Sequence, residues 1–275
     1  MVIPIRLKAV LDAAERSGRL NLRTEEIAAA LPGVGPEALR QALHRQQRRG
    51  RMVRLSRGAE HWLIVPLHHA QSGAPPLETW LDHYLGKTLG IPYYVALLSA
   101  AELYSASPYG VMVTQVMVPK PRRPIRVGRH QLQFHVQKRI DQLPTRWHEI
   151  PEGRFKLSTP ELTALDLVQR ESLVGGMARV REVLRALHDK FSAAGLTEAL
   201  DSLGEVPTAQ RLGALLTQDE APTFAAQIAQ ALPRHCPGRQ RERRPRPGAG
   251  SPVQGPDAAG VPERQRMMQQ AYLTF

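Results

Sequence analysis

Leu7, Val10, Leu11 and Ala14 recur at the i, i+3, i+4, i+7 spacing that gathers apolar side chains on one stripe of a helix, and Gly18 supplies a left-handed exit. Leu20-Asn21-Leu22 then reads as a very short strand. Thr24 is placed to cap a second helix, with Glu25 and Glu26 in its first turn and Pro32-Gly33 as its stop. A third helix opens on Pro36 at a first helical position, turns Leu39, Ala42 and Leu43 inward and ends at Gly50. Met52 to Leu55 and His61 to Val65 read as two strands joined by Ser56-Arg57-Gly58-Ala59, a tight turn in which Gly58 suits a positive φ. Helix, strand, helix, helix and β-ribbon in that order predict a winged helix-turn-helix over residues 1–66.

Residues 67–76 contain His68-His69, Ser72-Gly73 and Pro75-Pro76 without apolar period, and read as a linker. A second, mixed α/β domain is expected over residues 77–217. Within it Pro92 to Leu103 reads as a helix, and Val111 to Val118 and Gln131 to Val136 as strands. Ser158-Thr159-Pro160-Glu161 has the spacing of a capping box ahead of Leu162, Leu165 and Val168. Helices are expected again at Met177 to Lys190 and Thr208 to Thr217, and Trp80 and Tyr93-Tyr94 are spaced as core aromatics. Residues 218–275 turn rich in proline and arginine and are expected to be largely disordered. The fold class is therefore α+β: an N-terminal winged helix-turn-helix, a mixed α/β second domain and a disordered C-terminal tail.

The chain has 275 residues and a formal net charge of +12, which creates a long-range positive potential and points to a polyanionic partner. The single cysteine, Cys236, excludes an internal disulfide. Neither a secretory leader nor an uninterrupted apolar span is seen, so a soluble, cytoplasmic protein without a membrane partner is expected.

The distribution of charge is more telling than its sum. Between Ala38 and Ala59 stand seven arginines and no acidic residue. With Leu39, Ala42 and Leu43 facing inward, helical geometry puts Arg40, Gln41, His44, Arg45, Gln47 and Arg48 outward. Arginine and glutamine form bidentate pairs with guanine and adenine edges in the major groove, so Arg40, Gln41 and His44 are the candidate base readers. Arg48, Arg49, Arg51 and Arg54, with Arg57 at the wing tip, suit phosphate or minor-groove contact. Double-stranded operator DNA is the expected partner. The competing reading is a solvated charged face on a protein-binding module.

Chemistry-bearing constellations are sparse. His68-His69 lack further ligands at metal spacing, and Gly250-Ser251, the motif start a nucleotidyltransferase would need, lies in the tail. A metal-dependent nuclease with a winged-helix targeting domain is the alternative from another class, with Glu102, Asp141 and Asp166 as its candidate carboxylates. No catalytic residue, metal or cofactor is expected.

Four stretches carry a family resemblance: Tyr93 to Tyr104, Pro119 to Arg129, Leu157 to Leu167 and Gln210 to Leu216. As an ordered set they resemble the AbiEi-type antitoxins of bacterial abortive-infection, type IV toxin–antitoxin systems. The resemblance implies a two-domain repressor that binds inverted repeats in its own promoter, as a monomer or weak dimer pairing cooperatively. It also implies a second domain that assists DNA binding and neutralises a nucleotidyltransferase-like toxin. The family's basic loop corresponds to Lys120, Arg122, Arg123 and Arg126. After Leu216 the family usually continues with ordered apolar sequence, whereas this chain enters its arginine-rich tail, either a disordered arm or an altered reading frame. An orphan DNA-binding regulator without a toxin is the reading left if no toxin accompanies it.

Overall fold

The computed structural model describes residues 7–56, 58, 60–218 and 221–235, and over them the chain is α+β. The N-terminal part runs α1 (Leu7–Arg16), β1 (Asn21–Arg23), α2 (Thr24–Ala29), α3 (Pro36–Arg48), β2 (Met52–Arg54) and β3 (His61–Ile64). β3 lies between β1 and β2 in an antiparallel sheet, with Leu22 opposite Trp62 and Val53 opposite Leu63. Leu7, Leu11, Ile27, Leu39, Leu43, Met52, Trp62 and Ile64 close one core beneath the three helices. This arrangement is compatible with a winged helix.

Pro36 takes the first position of α3, as its fixed φ favours. Thr24, expected as the cap of α2, is instead its first residue. Its hydroxyl accepts from Trp62 Nε1 at 2.9 Å, and Glu26 reaches back to the Arg23 amide at 3.3 Å in its stead. A buried indole N–H needs an acceptor, and here that need outweighs the local cap.

The second part is built on a six-stranded mixed sheet. Its elements are β4 (Tyr94–Val95), α4 (Leu97–Leu103), β5 (Thr114–Val118), β6 (Ile125–Val127), β7 (His130–Val136), β8 (Thr145–Ile150) and β9 (Gly153–Ser158). They are followed by α5 (Pro160–Gln169), α6 (Met177–Leu187), α7 (Ala193–Leu203), α8 (Val206–Gln218) and α9 (Pro222–His235). The strand order is β6-β7-β5-β4-β9-β8, with β5 parallel to β7 and β4 parallel to β9. Alternation along the strands sends Tyr94 and Met117 into a core shared with α4 to α9, and Val95, Val116 and Val118 to the other face. On that face they meet Trp80, Leu81, Tyr84 and Leu85, from a segment that includes a π-helical turn at His83–Thr88.

Pro92 to Leu103 is not one helix. Tyr94 and Val95 form a strand between β5 and β9, and Leu97, at φ 57°, turns the chain into α4. A continuous apolar run has no period to separate strand from helix, and pairing on both sides decided it. The Ser158-Glu161 motif also differs from a capping box. Thr159 caps α5 by accepting from the Leu162 amide at 3.3 Å, and Ser158 bonds to Thr163 at 2.6 Å. Glu161 serves α7 instead, accepting from the Ser192 amide at 2.7 Å. The packed helices continue past Thr217, since Ala221 and Ile228 are buried in the same core. Residues 236–275, the bulk of the expected tail, lie outside the described residues.

The two parts share a core. Leu55 and Leu63 pack in the cluster of Trp80 and Tyr84. Asn21 Nδ2 donates to the Trp80 carbonyl at 2.9 Å, and the Tyr84 hydroxyl to the Leu55 carbonyl at 3.4 Å. Residues 67–76, read as a linker, are fastened to the β6–β7 turn: the Arg129 amide donates to the Ser72 carbonyl at 3.2 Å, and His130 Nε2 meets the Pro75 carbonyl at 3.0 Å. Gly128, at φ 53°, permits this approach, because a Cβ there would fall 2.5 Å from the Ser72 oxygen.

Candidate nucleic-acid interface

α3 is amphipathic by construction. Leu39 and Leu43 are buried against β2 and β3, so the intervening side chains are turned out, and Arg40, Gln41, His44, Arg45, Arg48 and Arg49 are all exposed. Gln47, expected on the same face, is half-buried. Arg54, on β2, projects its guanidinium over the Trp62 ring at 5.5 Å from the centroid. α3, the start of α2 and the hairpin together border an open groove of about 940 Å³, floored by Leu39, Leu43 and Trp62. Arg57 lies outside the described residues.

Arg51 behaves differently from its neighbours. Its side chain is 18% exposed and turned toward α1, where it donates to Glu15 at 2.9 Å and to the Val65 carbonyl at 3.0 Å, with Asp12 at 3.5 Å. These partners fasten α1 to the strand ends, so Arg51 is not presented with the other arginines.

Glu37 was missed in the sequence, and it is bonded to two of the three candidate base readers. One turn before Arg40 on α3, it accepts from Arg40 Nε at 3.0 Å and Nη2 at 2.7 Å, and from Gln41 Nε2 at 3.1 Å. The Arg40 hydrogen bonds, followed by that from Gln41, hold its carboxyl below the usual range. The signal was available: i,i+3 and i,i+4 spacing makes Glu37 a neighbour of both residues on a helix.

The second basic cluster spans the β5–β6 connection and β6: Lys120 and Arg123 on the connection and Arg126 on β6 are exposed, and Arg122 is half-buried with its guanidinium 5.9 Å from the Phe134 ring. An open groove of about 970 Å³ is lined by Arg54, Ser56 and Tyr84 together with Arg122, Arg123 and Arg126. Of the N-terminal arginines, Arg54 thus shares a groove with the second basic cluster.

The residues considered for metal-dependent cleavage are dispersed. Glu102 accepts from the Val111 amide at 3.2 Å, and Asp141 is exposed on a turn. Asp166 is fully buried, accepting from the Tyr94 hydroxyl and from Arg170 at 3.0 Å each. Burial pushes its carboxyl up to about 6, the adjacent Arg170 pulling the other way. Among the described residues, no three His, Cys, Asp or Glu side chains gather in a group that could hold a metal ion, and no helix is long and apolar enough to cross a membrane.

Residues 94–218 match the family described as the AbiEi antitoxin C-terminal domain. Among solved structures, the crystal structure of the RV2827C protein from Mycobacterium tuberculosis is similar over 83% of this chain and 82% of that one, with a TM-score of 0.57 and 18% identity. That likeness is one of fold. The chain has no match among curated proteins.

Proposed function

From the match of residues 94–218 to the AbiEi antitoxin C-terminal domain, which supports a toxin–antitoxin role, we propose that this chain is the DNA-binding repressor and antitoxin of a type IV pair. In this reading α3 enters the major groove of operator DNA, where Arg40, Gln41 and His44 address base edges. Arg45, Arg48, Arg49 and Arg54 neutralise phosphates alongside, and Lys120, Arg122, Arg123 and Arg126 extend the contact from the second part. Arg51 is left out of the interface. The operator is an inverted repeat in the chain's own promoter, bound by monomers or weak dimers that pair cooperatively. The second part neutralises a nucleotidyltransferase-like toxin, and the chain itself performs no catalysis.

The observation that carries the DNA reading is the outward face of α3: Arg40, Gln41, His44, Arg45 and Arg48 are exposed there together. A solvated face on a protein-binding module would show no salt-dependent affinity for promoter DNA. The test is fluorescence anisotropy of the full chain on a labelled duplex of the DNA upstream of its gene, across a salt series. Binding whose logarithm falls linearly with that of salt, and which weakens several-fold or more in an Arg45→Ala, Arg48→Ala double variant, is expected. An unchanged affinity in that variant refutes the proposal. Co-expression with the neighbouring open reading frame tests the antitoxin half separately, through rescue of growth.

A further inference from the structure

A carboxylate in the middle of a surface meant for a polyanion is a cost unless it does something there. Glu37 has a side chain 63% exposed, and Arg40, 77% exposed, is its only ion-pair partner among the described residues. The pair therefore contributes little to the fold. Its geometry is specific nonetheless. Glu37 takes the Nε and Nη2 side of the guanidinium, which leaves the outer edge, formed by Nη1 and the second Nη2 hydrogen, as a two-donor fork without an acceptor among the described residues. That fork matches guanine O6 and N7, whereas a carboxylate in the major groove is satisfied only by an amino donor, such as cytosine N4.

We infer that Glu37 is the specificity-determining residue of the α3 interface, holding Arg40 for end-on recognition of a guanine and disfavouring base steps that offer its carboxylate no amino group. The inference rests on the DNA-binding reading above and adds to it a base preference and a role for an acidic residue. Glu37 acts on the guanine through Arg40 and on the neighbouring cytosine directly. Its negative charge lowers affinity for arbitrary sequence, because no phosphate or thymine edge can compensate it, and so widens the gap between operator and non-operator DNA.

The experiment is selection from a randomised duplex library by the full chain and by its Glu37→Ala, Glu37→Gln and Arg40→Ala variants. Each is then titrated with the selected duplex and with a scrambled duplex at one fixed salt concentration. Thermal melts of each variant confirm that the exposed substitutions leave the fold intact. The native chain should enrich a motif with a guanine position that both Glu37→Ala and Arg40→Ala erase. Glu37→Ala should bind scrambled duplex roughly three- to tenfold more tightly, with a salt slope steeper by about one, whereas Arg40→Ala should bind it more weakly. Glu37→Gln keeps an acceptor oxygen for Arg40 but no charge, so it should retain the guanine preference while gaining scrambled-duplex affinity. If Glu37→Ala enriches the native motif and binds scrambled duplex as the native chain does, the role of Glu37 is overturned while the DNA reading stands. If the native chain shows no salt-dependent binding to the library, the DNA reading falls and the inference with it.

Discussion

Replacing Arg51 by methionine separates the two jobs that arginine does in the N-terminal part. Methionine keeps the aliphatic stem but deletes a guanidinium that holds Glu15 at 2.9 Å, the Val65 carbonyl at 3.0 Å and Asp12 at 3.5 Å. Charge-assisted hydrogen bonds of this kind contribute about 1.5–3 kcal/mol each when buried. Asp12 and Glu15 remain 43% and 28% exposed, so water screens them and recovers part of the loss. The expected destabilisation is about 1–3 kcal/mol, read as a lower urea midpoint by far-ultraviolet circular dichroism at unchanged slope. DNA binding by the folded variant should keep the native salt slope. Arg45→Met and Arg48→Met should do the reverse, each reducing the slope by about one while leaving stability within about 0.5 kcal/mol. If Arg51→Met instead flattens the salt slope by about one at native stability, Arg51 faces the duplex and its placement against α1 is wrong.

Three further outcomes can be checked by unfolding alone. Asp166 has its carboxyl raised from 3.8 to about 6 in the folded chain, so the native state binds the extra proton between those values. The stability this supplies is complete below pH 3.8 and is lost as pH rises through about 6; Asp166→Asn should remove that slope, up to about 3 kcal/mol in the difference between the two proteins' pH–stability curves. Glu161→Ala strands the Ser192 amide at the start of α7 and should cost about 1–3 kcal/mol in a urea titration, with Glu161→Gln recovering part of it because an acceptor remains. Leu63→Ala opens a void in the core common to both parts and should cost about 2–5 kcal/mol, with unfolding still a single transition by tryptophan fluorescence and by circular dichroism; two separated transitions would contradict that common core.

The N-terminal part was legible in sequence because its helices each bury one stripe and show it as a 3.6-residue period, with Pro36, Gly18 and Gly50 marking ends. Leu39 and Leu43 alone were enough to orient α3. The second part was harder for a physical reason: α5 is buried on every side, from Pro160 to Val168, so no polar stripe marks its orientation. β8 carries Arg146, Trp147, His148 and Glu149 in a row at the sheet edge, and its polar positions conceal the strand. Tyr94 and Val95 were absorbed into the following helix because only their partners on β5 and β9 identify them. At the interface, the arginines were visible as a charge run, but their separate fates were not. Arg51 is claimed by carboxylates on α1, some thirty-five residues away, whereas the partner of Arg40 stands one helical turn before it and was passed over because the acid-free stretch begins just after Glu37.

The joint through Leu55, Leu63, Trp80 and Tyr84 constrains how this chain can be divided. Cutting after residue 66 would bare two leucines on the first fragment and a tryptophan and a tyrosine on the second, giving each piece a sticky apolar scar. The N-terminal part is thus poorly suited to being transplanted onto an unrelated body, and sequence drift at any of these four positions has to be answered by the others.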